Sequence, residues 1–229
     1  MQRSEVNRLQ REALALFAEH RFALPPFATW SEAEWLQSPE TASYCLDHQM
    51  GWDITDFGSN DFPRRGLVIF CVRDGLQGVA REKPYAEKLL VVREEQETPH
   101  HLHRVKMEDI IVRGGGNLVL EFHNSSDGGL ADTPLTVMVD GTRRALGAGE
   151  PLTLRPGESV TLTRNLWHRF YGEAGKGTVF VGEVSQVNDD LTDNYFFETV
   201  GRFAEIEEDE PKLFPLWNEL SALTHPASS

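Results

Sequence analysis

Cysteine and long apolar segments are both scarce in this sequence. Its 229 residues include two cysteines, Cys45 and Cys71, which lie far apart and show no C-x-x-C spacing. A disulfide framework is therefore not expected, and a reducing cytoplasm is the simplest setting. No apolar run approaches the roughly 20 residues that a transmembrane helix needs. The first residues, MQRSEVNRLQREALALF, are charged throughout and typical of a helix, not of a signal peptide.

Positive charge is also in short supply, with 22 lysines and arginines against 36 aspartates and glutamates. The formal net charge of −14 repels polyanions, and no basic cluster offsets this average field. We therefore expect no nucleic acid and no membrane surface as partners. The length allows one well-packed core with appended elements, which predicts a single domain.

The hydrophobic pattern divides the chain into a helical beginning and a longer β-rich part. Residues 1–60 contain an apolar stripe at helical spacing and then Ser31 and Glu34, a capping-box pair at the start of a second helix. The segment PETASYCLDH predicts a third short helix. We interpret this part as an N-terminal helical extension that packs on the β-rich part. The apolar stripe consists of Val6, Leu9, Ala13, Leu16 and Phe17.

Residues 61–190 show the alternating pattern of β-strands. Apolar residues recur at every second position in segments such as LVIFCVRDG, EKLLVV, GNLVLEF and GTVFVGEVS, with turns rich in Gly, Pro, Asn and Asp between them. Short strands at this spacing predict a mainly β fold, an antiparallel sandwich or barrel. The alternation is then lost, and we assign residues 191–229 to a largely extended acidic arm and tail of the same domain.

Three histidines within four positions indicate a metal site. His101 and His103 project to the same side of a strand, whereas His100 points to the other side and is a bystander. Glu108 reaches the side of the pair only if the chain bends or bulges near residues 104–105. Such irregularities are common beside active sites.

A fourth ligand must come from a distant segment. His168 follows the turn and strand of PGESVTLTRN and shares a face with Leu166 and Phe170. Three histidines and one carboxylate leave positions open on a six-coordinate ion, which suits Mn, Fe, Co, Ni or Zn. The alternative is a polar loop at residues 100–103 and a histidine that merely caps a strand end. The combined pattern favours the metal site.

These segments resemble the cupin superfamily of small metal-binding barrels. The first cupin motif, HxH followed by glutamate and glycine, matches His101, His103, Glu108 and Gly114, although its leading glycine is missing. The second motif, PG followed by histidine, matches PGESVTLTRNLWH with a longer gap. The resemblance implies a cupin-type antiparallel β-barrel, or jelly roll, of six to eight strands with the metal inside.

A finer resemblance is to the D-lyxose isomerase family. The segments GWDITDFG, VKMEDIIVRGGGNLVLE, WHRF, VNDDLTDNYF and GRFAEIEEDEP are similar to those of that family, in the same order. The resemblance runs from the N-terminal helices to near residue 217. It implies an enzyme that interconverts D-lyxose with D-xylulose and D-mannose with D-fructose, usually with Mn(II). We expect a monosaccharide as the small-molecule partner and a homodimer as the assembly.

Isomerisation of an aldose requires a base that moves a carbon-bound proton, and a carboxylate serves this purpose. Glu183 shares a strand face with Val179 and Val181, which are expected to point into the barrel. An unpaired carboxylate in such apolar surroundings would have its pKa raised to a useful value. The alternative places Phe180 and Val184 inside and Glu183 outside; we favour the inward orientation.

Two further residues are candidates for moving oxygen-bound protons and for binding sugar hydroxyls. Lys106 lies two residues before Glu108, so an extended segment turns it toward the ion; the alternative is a solvated surface lysine. Asp193 belongs to a loop expected over the barrel mouth, where hydroxyls need acceptors. Asp189 and Asp190 are rival choices, and turn capping is the alternative role of all three.

Two other functions fit the same motifs. An iron-dependent cupin dioxygenase commonly uses three histidines and one glutamate, and a non-catalytic sugar-binding cupin would hold a structural metal. The second alternative agrees poorly with Lys106 and Glu183 both facing the ion. The sequence therefore predicts a metal-dependent sugar isomerase, with Mn(II) favoured and Zn, Co, Ni or Fe as alternatives.

Overall fold

The computed structural model describes residues 1–127, 129–187 and 189–224, so the predicted tail from 225 to 229 lies outside the described residues. Strands predominate in the described part, with helices near its two ends. The helices are α1 (Arg3–Glu19), α2 (Glu32–Leu36), α3 (Pro39–Asp47) and α4 (Ser221–Thr224), with 3-10 turns at Pro26–Thr29 and Trp217–Leu220. The strands are β1 (Gly51–Thr55), β2 (Leu67–Arg73), β3 (Tyr85–Val92), β4 (Glu97–Leu102), β5 (Glu108–Gly115), β6 (Leu118–Ser126), β7 (Gly129–Ala131), β8 (Leu135–Val139), β9 (Thr142–Leu146), β10 (Leu152–Leu154), β11 (Ser159–Leu162), β12 (Trp167–Gly172), β13 (Val179–Gln186) and β14 (Tyr195–Phe196).

The strands form two antiparallel sheets that face each other. The larger sheet has the order β1-β2-β3-β13-β5-β11-β8-β9, the smaller has the order β10-β6-β12-β4-β14, and β7 pairs with β6. Apolar side chains from both inner faces meet in one core, which includes Leu90 and Val181 of the large sheet and Leu120 and Phe170 of the small one. The predicted mainly β, cupin-type antiparallel barrel is confirmed.

The outer face of β2, β3 and β13 is covered by the predicted apolar stripe of α1. Phe17 of this stripe packs on Phe180 of β13 with ring centroids 5.0 Å apart, and Val6 and Leu9 belong to the same buried cluster as Phe70 of β2. These strands are therefore buried on both faces. The strict alternation predicted for LVIFCVRDG and EKLLVV is therefore wrong in detail, because strands covered on both faces carry nearly continuous apolar side chains.

The local signals predicted for the N-terminal part are present. Ser31 and Glu34 form the capping box at the start of α2, and α3 lies within PETASYCLDH, so both predictions are confirmed. β1, however, lies within the segment assigned to the helical extension and pairs with β2 at the edge of the large sheet. Among the described helices, none is long and apolar enough to cross a membrane.

The C-terminal arm returns along α1 and joins the two ends of the chain. The guanidinium of Arg3, which is fully buried, binds Glu208 of the arm at 2.6 Å. Asn7 donates to Glu210 and to the carbonyl of Pro211. A turn of 3-10 helix and α4 follow, which the sequence pattern did not indicate. The arm positions Arg202, considered below, beside the barrel mouth.

Candidate metal centre and active site

The histidine-bearing strand and the segment after it bring the predicted ligands together. β4 carries a bulge before His101, which pairs with His168 on the neighbouring β12. After β4 the chain bends at residues 104–105 and crosses from the small sheet to the large one, where Glu108 begins β5. The bend lies where the spacing between His103 and Glu108 predicts it.

The three imidazoles of His101, His103 and His168 are buried and are oriented by the backbone. A carbonyl oxygen can only accept a hydrogen bond, so each Nδ1 carries a proton and each Nε2 is the atom that faces the cluster. The candidate ligand atoms of the three residues lie within 4.8 Å of one another. Nδ1 of His101 donates to the carbonyl of Pro99 at 2.9 Å, that of His103 to the carbonyl of Asp193 at 3.1 Å, and that of His168 to the carbonyl of Leu166 at 3.0 Å.

Glu108 completes this cluster from the opposite sheet. Its Oε1 atom lies 3.4 Å from Nε2 of both His103 and His168, and its Oε2 atom lies 2.7 Å from Nζ of Lys106. Burial alone would raise the pKa of Glu108, but Lys106 and the imidazoles outweigh it and hold the pKa well below the ordinary value. The residue is therefore a carboxylate, the form that binds a cation.

The cluster fits a divalent metal ion. Nε2 of His168 is buried and faces Oε1 of Glu108 at 3.4 Å, too far for a strong hydrogen bond, and a cation between the two atoms would satisfy both. Burial, with the neighbouring imidazoles adding to it, lowers the pKa of His101 well below the ordinary value, so the ring is neutral and able to coordinate. Three imidazoles and one carboxylate are a donor set for first-row divalent ions.

A cavity lies beside the cluster, between the two sheets. Phe57, Phe170 and Phe196 contribute apolar surface to it. Such a cavity, apolar in its walls with a few convergent polar groups, is typical of a small-molecule site. Its charged lining, apart from the ligand cluster, consists of Lys88, Lys106, Glu183, Asp190 and Arg202.

Glu183 and Lys106 form a buried ion pair in this lining. The two side chains are 2.6 Å apart, and each residue is at most 6 % exposed, so Lys106 is not the solvated surface lysine that the sequence left possible. Burial would lower the pKa of Lys106, but Glu108 and Glu183 outweigh it and raise the pKa above the ordinary value. Glu183 lies inside the barrel, yet the prediction of an unpaired carboxylate was wrong, because this lysine binds it.

Asp193 occupies a different place from the other two predicted catalytic residues. Its carboxylate accepts hydrogen bonds from three successive backbone N–H groups, those of Arg104, Val105 and Lys106, at 2.9, 2.9 and 3.1 Å. It does not belong to the described lining of the cavity. Of its two rivals, Asp190 lines the cavity, while Asp189 caps its own loop by accepting from Leu191 N–H.

Beyond the predicted site residues, the cavity holds three further charged residues: Lys88, Arg202 and Asp190, which was named only as a rival of Asp193. Lys88 binds Asp190 at 2.6 Å and lies 3.9 Å from Glu183, its register partner on the adjacent strand. Arg202 binds Asp53 at 2.6 Å, and its Nε atom is buried without a partner in the described part of the chain. The sequence does hold a signal for Lys88, because this residue shares a strand face with Leu90, which points into the core.

A two-sheet antiparallel barrel with three histidines and a glutamate converging inside it defines a cupin-type protein with a candidate metal site. The model of the D-lyxose isomerase family matches residues 1–220, so the chain belongs to that family. It is a sugar isomerase that acts between aldoses and ketoses, and its small-molecule partner is a monosaccharide.

Relatives of this family are similar over nearly the whole length. The D-lyxose/D-mannose isomerase of Serratia proteamaculans is 47 % identical over 222 residues, which cover 96 % of this chain and 97 % of that protein. The protein of the same name from Escherichia coli O157:H7 is 46 % identical over 223 residues, with 96 % and 98 % covered. The ligand-free structure of L-ribose isomerase from Cellulomonas parahominis superposes with a TM-score of 0.63, over 90 % of this chain and 98 % of that one. The two sequences are 18 % identical, so the similarity is one of fold.

Proposed function

We propose that this isomerase interconverts D-lyxose with D-xylulose and D-mannose with D-fructose. The observation that carries the proposal is the contact series Glu183–Lys106–Glu108, which links a buried acid–base pair to the histidine cluster through distances of 2.6 and 2.7 Å. Groups that move protons and groups that hold a metal are therefore adjacent in one cavity. The name that both relatives carry, D-lyxose/D-mannose isomerase, supports the choice of sugars.

We propose Mn(II) as the ion, held by His101, His103, Glu108 and His168. Bound there, it would polarise the sugar carbonyl and stabilise the negative charge that develops on the oxygens at C1 and C2. Zn, Co, Ni and Fe suit the same donors. The choice of Mn(II) rests on the family resemblance, and the mixed imidazole and carboxylate donors are compatible with it.

Glu183 is proposed as the base that moves the carbon-bound proton. It removes the proton from C2 of the aldose, so that the C–H bonding pair forms the double bond of a C1–C2 enediol. The same carboxyl group returns the proton to C1, which yields the ketose. Lys106, protonated according to its raised pKa, donates a proton to O1, and the proton on O2 returns to Lys106. Protons and electron pairs therefore balance over the cycle.

Lys88, Asp190 and Arg202 are proposed to bind the remaining hydroxyls of the sugar. Lys88 and Asp190 offer a donor and an acceptor that already pair with each other, so neither charge is left unpaired when the site is empty of substrate. The unpartnered Nε–H of Arg202 offers a further donor.

We also propose that the enzyme acts as a cytoplasmic homodimer, which light scattering of the purified protein and cell fractionation would test.

The proposal is tested by an assay in heavy water. Protein treated with EDTA is incubated with D-lyxose or D-mannose, with and without added Mn(II). We expect Mn(II)-dependent formation of the ketose, with deuterium at C1 if the proton on Glu183 exchanges with solvent. Glu183→Gln is expected to retain Mn(II) and to lose about 10²- to 10⁴-fold in turnover.

A matched control is Glu87→Gln, since Glu87 pairs with Arg73 outside the barrel and does not line the described cavity. Its turnover is expected to match the unaltered protein. Failure to isomerise either sugar with Mn(II) would refute the proposal. Oxygen consumption with Fe(II) would instead indicate a dioxygenase, and sugar binding without turnover would indicate a binding protein. A fully active Glu183→Gln protein would refute the assignment of the base alone.

A further inference from the structure

Asp193 connects the loop at the cavity mouth to the segment that carries the metal ligands. It lies on the 189–194 loop and is 2 % exposed. Its Oδ1 accepts from the N–H groups of Arg104 and Val105, and its Oδ2 accepts from that of Lys106. All three amides belong to the crossing between β4 and β5. Both oxygens of one buried carboxylate are thus used to hold a single bend of the backbone.

The same residue also holds a ligand. The backbone carbonyl of Asp193 accepts from Nδ1 of His103 at 3.1 Å. Its side chain and its main chain therefore act on both ends of the segment from His103 to Lys106. Outer partners of this kind orient a ligand and fix its tautomer, and their loss typically weakens metal binding by 10- to 100-fold.

The position of the crossing decides the geometry of two functional groups. His103 lies directly before the bend, and Lys106 lies directly after it with its Nζ between Glu108 and Glu183. Rotation of the bend would move His103 and Lys106 relative to the rest of the cluster. No other side-chain acceptor binds the three amides among the described residues.

We infer that Asp193 is a positioning residue that sets the metal affinity of the centre through the 104–106 bend and His103. It acts through these groups and does not contact the sugar. The inference rests on the proposed metal centre but not on the proposed sugars, so it can be tested with Mn(II) alone. This positioning role replaces the role that the sequence suggested for Asp193, that of an acceptor for a sugar hydroxyl.

The test compares Asp193→Asn with Asp140→Asn. An asparagine keeps one oxygen acceptor but cannot accept from the Lys106 amide through its NH₂ group. Asp140 is the matched control, because its carboxylate also accepts from a backbone amide, that of Ser159, but at a distant turn. Mn(II) affinity is measured by titration, and unfolding of the metal-free proteins is measured in parallel.

We expect Asp193→Asn to raise the dissociation constant for Mn(II) by 10- to 100-fold, while Asp140→Asn leaves it unchanged. At saturating Mn(II), kcat should fall and KM for the sugar should stay within about threefold. Unchanged Mn(II) affinity would overturn the inference. A raised KM with unchanged Mn(II) affinity would show that Asp193 binds the sugar instead.

A second measurement does not depend on how well the variant folds. In the unaltered protein, added Mn(II) should slow hydrogen exchange in peptides that contain residues 104–106, because the ion fixes His103 and with it the bend. Peptides from the β8–β9 hairpin should show no change. Equal exchange with and without Mn(II) at residues 104–106 would contradict the inference even if Asp193→Asn proved unstable.

Discussion

The two ends of the barrel are built from the same strands but have opposite chemistry. On β13 the inward-facing Val181 is followed by Glu183, and on the adjacent β3 the inward-facing Leu90 lies next to Lys88. The register places Val181 opposite Leu90 and Glu183 opposite Lys88. The change from apolar to charged therefore occurs at the same level on neighbouring strands. The hydrophobic core and the candidate active site thus lie one inward-facing residue pair apart on these two strands.

Because of this difference, the apolar end contributes mainly to stability and the polar end to the proposed function. The apolar end buries side chains such as Leu120 and Val160 completely, and such burial drives folding. The polar end buries charges, and their desolvation offsets much of what their mutual attraction contributes. The charged end therefore adds little net stability, and the apolar end holds the strands on which the proposed chemistry depends.

The largest expected effect is at the polar end, from His103→Ala. Loss of one imidazole removes a proposed ligand, and we expect Mn(II) to be lost and activity to fall by at least about 10²-fold. Elemental analysis and a ketose assay measure the two results. His100→Ala is the matched control, since His100 is a half-buried neighbour whose ring packs on His123. An active, metal-loaded His103→Ala protein would show that the ligand set is wrong.

A substitution at the apolar end should have the opposite result, a loss of stability without a loss of metal binding. Leu120→Ala empties a fully buried position in the core, so the free energy of unfolding should fall by about 2–5 kcal/mol. Mn(II) affinity at a temperature where the protein is folded should stay the same. Met138→Ala is the control, because Met138 is 37 % exposed and its loss should cost little. Denaturant unfolding measures the change, and a large loss of Mn(II) affinity in Leu120→Ala would contradict the separation.

The apolar end was the more predictable of the two. Strand alternation and turn residues predict an antiparallel barrel because each inward position repeats the same requirement for an apolar side chain. Helical spacing likewise predicts the stripe of α1. The exception was β1, since GWDIT is buried at every position and shows no alternation.

The polar end was predicted residue by residue but not in its contacts. The spacing of His101 and His103 indicates a ligand pair, strand faces indicate His168 and Glu183 far along the chain, and the cupin resemblance supports His168. Lys88 opposite Glu183 depends on a pairing between strands 95 positions apart, which no local pattern reveals. The role of Asp193 depends on the path of the bend that its carboxylate holds, and loop geometry of this kind is set by tertiary contacts.

The smallest expected effect concerns a buried carboxylate that the proposed reaction does not use. Asp74 follows β2 at the polar end, is 2 % exposed, and accepts from the N–H of Gly75 at 2.7 Å. Burial raises the pKa of Asp74 to about 6 from the model-compound value of 3.8, although Lys88 partly opposes the shift. Because the folded-state pKa is the higher one, the protonated form stabilises the fold. That contribution is complete below pH 4 and is lost as the pH rises through about 6.

Asp74→Asn should therefore stabilise the metal-free protein above pH 6. The amide oxygen keeps the hydrogen bond from Gly75, and the charge that burial disfavours is removed. We expect a gain of about 1–3 kcal/mol at pH 7.5, the size that a pKa raised from 3.8 to about 6 implies. Urea unfolding between pH 4.5 and 7.5 should show the gain shrinking as the pH falls. A gain that is independent of pH, or a loss at pH 7.5, would mean that Lys88 requires the ionised carboxylate. The polar end would then contribute more to stability than the comparison of the two ends allows.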